Sequence, residues 1–162
     1  MFCQLDQVKD VLDIAEVVRR ALLQEQPENS SLAGSERKAC SLIFGLLLLR
    51  DYDVFIQEGV ITIKGNEHRH QWLEVYLEGE FFVLDVTLSQ WTEQYEAEIP
   101  EVVFLLKEDA IEEYGYGSSE DYEWQRDAAG KSLWNKVLKA LQINQTVDEV
   151  LAEISKGSEP FN

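Results

Sequence analysis

Three side chains in this 162-residue chain could cooperate in acyl transfer: Cys40, His70 and Asp85. A thiol attacks a carbonyl as its thiolate, an imidazole can take the thiol proton, and a carboxylate beside the ring fixes its tautomer and makes it more basic. Cys40 lies in ERKACSLIFGLLLLR, near the start of a helix, where free N–H groups and the macrodipole favour an anion. An ion pair with His70 would favour it further. Taken singly, each residue has a plainer reading. A cysteine in an apolar helix is usually a packed core thiol, and a lone strand histidine is usually structural. The order Cys, then His, then Asp, on a helix followed by a hairpin, is what singles them out. Cys3 is the other thiol and His68 the other imidazole; His68 is expected at the surface, near the entry of its strand.

The element that must bring His70 to Asp85 is the stretch HRHQWLEVYLEGEFFVLDVT, residues 68–87. Its alternating pattern predicts strands over 70–77 and 80–86, joined by a two-residue Glu78-Gly79 turn. In that register Leu77 faces Glu80, Trp72 faces Asp85 and His70 faces Thr87. His70 and Asp85 then become diagonal neighbours on one face, together with Trp72, Glu74, Phe81 and Val83. Leu73, Val75, Leu77, Phe82, Leu84 and Val86 form the opposite, apolar face. The His70 face is expected to look into a cleft or solvent. A one-residue bulge at Gly79 would instead separate His70 from Asp85.

Around the hairpin, spacings of three and four among Leu5, Val8, Leu12, Ala15, Val18 and Leu22 predict an amphipathic helix over 5–26. A polar loop, QPENSSLAGS, separates it from a helix apolar nearly all round from Ala39 onward. YDVFIQEGVITIKG reads as two strands or one bent strand. EVVFLLKEDAIEEYG suggests a strand running into a short helix, and YGYGSSEDYEW an exposed acidic loop. Lys131–Ile143 and a segment opening with the Thr146-Val147-Asp148-Glu149 capping box predict two closing helices, the second stopping near Gly157. The fold class is therefore α+β: N-terminal helices, a central antiparallel sheet with the His/Asp-bearing hairpin, and C-terminal helices. One domain over 1–162 is expected, with a C-terminal helical extension over 129–157.

His70-Gln71-Trp72-Leu73-Glu74-Val75 and Asp85-Val86-Thr87 resemble the transglutaminase-like superfamily of papain-like cysteine enzymes. There a helix bears the nucleophile, a following strand carries an H-x-W-x-E-V pattern, and the next strand ends in Asp-x-Thr. The chain is also similar to bacterial relatives whose short signature continues to a Gln and an aromatic residue, matched by Gln90 and Trp91. The likeness covers about residues 35–91. It implies Cys40 as nucleophile, His70 as base and Asp85 as orienter, with Trp72 and Glu74 as framework and Trp72 walling the substrate cleft. No cofactor or metal is implied. A zinc site from His68, His70 and Asp85 lacks the usual ligand spacing. Gln24, Gln26 and Asn29 lie upstream, and no spacing selects one as an oxyanion donor.

A formal net charge of -17 disfavours nucleic acid and anionic membrane as partners. Residues 93–128 hold 12 acidic side chains against Lys107 and Arg126. The apolar run Leu42–Leu49 is too short to span a bilayer. MFCQLDQVKD lacks a basic segment followed by an apolar one, so reduced thiols and a cytoplasmic location are expected. The expected function is a cysteine-dependent hydrolase or peptidase of amide or thioester bonds, acting on a peptide or protein. The alternative is a catalytically inactive module of the same kind that binds a basic protein through its acidic surface.

Overall fold

The computed structural model describes residues 2–26 and 32–158, with side chains from residue 5 onward. The side chain of Cys3 and residues 27–31 of the polar loop lie outside this set. Helix α1 (Phe2–Glu25) buries Val11, Ile14, Ala15, Val18, Ala21 and Leu22, a stripe at three- and four-residue spacing. Leu5, expected on that stripe, is exposed. Helix α2 (Glu36–Leu49) is the central element and touches α1, α6 and two strands. Its near-continuous apolar surface follows from having neighbours on several sides.

Five strands form one antiparallel sheet in the order β4-β3-β2-β1-β5. They are β1 (Asp53–Ile63), β2 (Asn66–Leu77), β3 (Glu80–Asp85), β4 (Val103–Leu106) and β5 (Gly117–Tyr122). The segment 53–63 is thus one strand, with a register irregularity at Glu58/Gly59 against β5. Two short turns set the central registers. Lys64-Gly65 pairs Ile63 with Asn66, and Glu78-Gly79 pairs Leu77 with Glu80; all four turn residues have positive φ, as a twist-matched two-residue hairpin requires. Leu73 faces Leu84, so the hairpin keeps the expected register.

A 3₁₀ turn (Leu88–Trp91) and the short α3 (Thr92–Tyr95) follow β3, and α4 (Lys107–Tyr114) follows β4. The chain closes with α5 (Lys131–Ala140) and α6 (Val147–Ser158). α6 has its reciprocal cap: Glu149 N–H donates to Thr146 Oγ1, and Thr146 N–H to the Glu149 carboxylate.

Both faces of the sheet are covered, which departs from expectation. One face packs Val54, Ile56, Leu73, Val75 and Leu84 against α1, α2, α5 and α6. The face bearing Trp72 and Val83, expected to meet a cleft or solvent, carries a second core with Ile61, Ile63, Leu88, Val103, Ala110 and Tyr116. Short elements spread over 88–116 supply that cover. Only the turn end of this face stays open, where Phe55, Tyr76 and Phe81 are exposed. The stretch YGYGSSEDYEW is likewise not a loop throughout: it contains edge strand β5, and Tyr116 and Trp124 are buried.

Gly59 allows β5 to approach. A Cβ there would lie 2.0 Å from the carbonyl oxygen of Gly117, a clash with backbone that no rotamer relieves. Gly59→Ala is expected to push β5 outward and destabilise the protein by about 1–3 kcal/mol, measurable by urea unfolding. Unchanged stability would show that β5 is not held at this spacing.

Candidate functional site

The hairpin register places His70 and Asp85 diagonally, and their side chains meet. His70 Nε2 lies 2.7 Å from Asp85 Oδ2. The same oxygen accepts the Tyr116 hydroxyl at 2.8 Å. Asp85 Oδ1 accepts Thr87 N–H at 2.9 Å and the Thr87 hydroxyl at 3.1 Å. Both carboxylate oxygens are therefore fully engaged, and Asp85 and His70 are each buried. Burial alone would raise the Asp85 pKa. The His70 charge and the bonds from His70, Thr87 and Tyr116 outweigh it and hold the carboxyl below its ordinary value.

An ionised Asp85 can only accept, so Nε2 carries the proton in the bond between them, and Nδ1 is the other ring nitrogen of His70. That Nδ1 is buried and has no hydrogen-bond partner among the described residues, the Cys40 thiol included. The ring is clamped from its sides: Trp91 meets it edge-on at 5.2 Å between centroids, and Trp72 lies at 6.3 Å.

Cys40 belongs to the helix-side core and is 5% exposed. It sits beyond the first turn of α2, which begins at Glu36, so little of the expected helix-start advantage reaches it. Burial pushes its thiol well above the ordinary pKa, and the Asp85 and Glu36 carboxylates add to the rise. The expected thiolate is thus reversed: in this conformation Cys40 is a protonated thiol at neutral pH. The Asp85 charge reaches the thiol, but no hydrogen bond joins Cys40 to His70.

Trp72, expected to wall a substrate cleft, is 1% exposed and packs edge-on against Tyr116 at 4.9 Å. It forms the floor behind the dyad and presents no surface to a ligand here. Glu74 is buried and pairs with Lys107 at 3.2 Å, joining β2 to the start of α4 as a framework residue should. His68, expected at the surface, is half-buried: its ring stacks on Trp91 at 4.9 Å and its Nε2 lies 2.6 Å from the Tyr95 hydroxyl. Gln24 is exposed at the end of α1. No group of three or more His, Cys, Asp or Glu side chains is disposed to hold a metal among the described residues.

Two partners of Asp85 were not singled out from the sequence. Thr87 was visible in Asp85-Val86-Thr87, where an Asp carboxylate accepting from the residue two positions on is a standard local turn. Tyr116 carried no such signal, since it stands between glycines in an acidic stretch.

Comparison with family models, curated proteins and solved structures finds no match to this chain. No helix among the described residues is long and apolar enough to cross a membrane.

Tyr116→Phe removes one charge-assisted bond and is expected to cost about 1.5–3 kcal/mol near pH 7. Asp85 has a lowered folded pKa, so its contribution is present above its unfolded value of about 3.9 and fades as pH falls through the folded value. The gap between Tyr116→Phe and wild type should therefore narrow in urea unfolding below about pH 4. A gap independent of pH would show that the hydroxyl acts by packing alone.

Proposed function

We propose that this chain is a transglutaminase-like, cysteine-dependent acyl-transfer enzyme of papain-like architecture acting on amide or thioester bonds. The observation that carries the reading is the His70–Asp85 pair, with one ring nitrogen held by a buried carboxylate and the other left without a partner. A buried polar atom left unpaired costs roughly 1–3 kcal/mol, a cost that Trp72 Nε1 on the same strand also carries.

In the reaction, His70 Nδ1 takes the proton of the Cys40 thiol and the sulfur attacks the acyl carbon. The C–S bond forms as the scissile C–N or C–S bond breaks, and the imidazolium returns its proton to the leaving amine or thiol. Water, or an acceptor amine, then gives a proton to Nδ1 and attacks the thioester, releasing the acyl product and restoring the thiol. Asp85 stabilises the imidazolium throughout. The cycle begins from a closed state: local opening must admit water and substrate to Cys40, which also removes the burial that holds its pKa up. The proposed location is cytoplasmic, where the thiol stays reduced.

A second reading is favoured by the depth of Cys40: a transglutaminase-like module without catalysis that binds a basic partner through its acidic surface. Turnover of model peptide amides and thioesters separates the two. The enzyme reading expects activity that is abolished in Cys40→Ala and falls by about 10⁴ in Asp85→Asn, the loss seen when a serine-protease triad loses its carboxylate. It also expects iodoacetamide to label Cys40 in the folded protein and substrate to slow that labelling. No turnover across the panel, with Cys40 labelled only after unfolding, would favour the binding module.

A further inference from the structure

Two residues with an unpartnered buried polar atom, Glu36 and His70, line one cleft at the surface, the His70 ring itself being unexposed, and a third, Ser35, adjoins the cleft in sequence. Ser35 Oγ, Glu36 Oε2 and His70 Nδ1 are buried without hydrogen-bond partners. A cleft of about 180 Å³ is walled by Gly34, Glu36 and Arg37 at the start of α2, and by Glu58, Arg69 and His70 from β1 and β2. Ser35 links two of these wall residues and is itself fully buried. It is the N-cap of α2, yet its side chain makes no cap bond, and among the described residues no side chain bonds the first-turn N–H groups.

The charges are unequal in their commitments. Arg69 is held by Glu58 at 3.6 Å. Arg37 lies over the Tyr122 ring at 5.4 Å, and no carboxylate pairs with it among the described residues. In a chain of net charge -17, an uncommitted guanidinium beside a helix N-terminus stands out. Together they suit an anion with the planar geometry of a carboxylate. Glu36 Oε2 asks for the opposite, a hydrogen-bond donor. An occupant must therefore bring a carboxylate and an N–H close together, as a peptide does.

We propose that this cleft binds a peptide carboxylate, with the anion on Arg37 and the first turn of α2 and an amide N–H of the same peptide on Glu36. The inference deepens the acyl-transfer reading and rests on it for one consequence: the substrate is a peptide amide, since a simple acyl thioester has no N–H for Glu36. Binding itself requires no catalysis.

Calorimetric titration with three blocked peptides tests it: N-acetyl-Ala-Ala-Ala as the free acid, the same peptide as its C-terminal amide, and amidated N-acetyl-Ala-Glu-Ala. The free acid is expected to bind at least about tenfold more tightly than its amide, a difference of about 1.4 kcal/mol. Arg37→Gln should remove that preference, and Arg37→Lys should keep part of it. Glu36→Gln should weaken acid and amide alike. Tight binding confined to the free acid assigns the carboxylate to a peptide C-terminus; equal binding of the glutamyl peptide assigns it to a side chain. Equal affinity for acid and amide, no binding, or a preference that survives Arg37→Gln in a protein with unchanged melting would overturn the proposal. Turnover without carboxylate preference would refute this inference alone, whereas carboxylate binding without turnover would refute only the catalytic reading.

Discussion

The sheet, the second core and the dyad all meet at one ionised carboxylate held inside the protein. Asp85 sits at the end of β3 and accepts hydrogen bonds from His70 on β2, from Thr87 in the following turn and from Tyr116 just before β5. A bare carboxylate at that depth would cost several kcal/mol in lost hydration. The surrounding fold must supply every donor, and each donor comes from a different constraint: the hairpin register, the local turn, and the docking of β5. None can shift independently without exposing the cost.

That constraint explains why the sheet is covered on both sides. A His–Asp pair on a wet face would exchange its hydrogen bonds with water and lose its fixed orientation. Here Trp72, Tyr116 and Leu88 close one side, while Trp91 caps the ring and is itself stacked by His68. The apolar cover strengthens the electrostatic coupling inside. Cys40 is buried separately, in the helix-side core, where its thiol is held neutral by lack of water and by nearby negative charge.

How much of this could be read from the sequence depended on how local each signal was. The hairpin was legible because a period-two pattern and a Glu-Gly turn both act within a few residues. The α6 cap was legible for the same reason. The second core was not, because Leu88, Trp91, Ala110 and Tyr116 come from short elements with no shared period. Tyr116 was hidden by composition: the glycines and carboxylates around it describe an exposed edge, and one ring turned inward leaves no trace in that average. The depth of Cys40 was not legible because α2 is apolar nearly all round, so no stripe marks which neighbour its face meets.

The acidic segment has a consequence beyond any partner it attracts. An open five-stranded sheet ends in two rows of unpaired backbone groups, the usual starting point for edge-to-edge aggregation. In this protein one rim, β4, spans only Val103–Leu106, and the other, β5, carries Glu120 and Asp121 on an exposed strand. Two copies approaching rim to rim along β5 would bring like charges into register. Part of the negative charge therefore serves colloidal stability, keeping a sheet with open ends from growing.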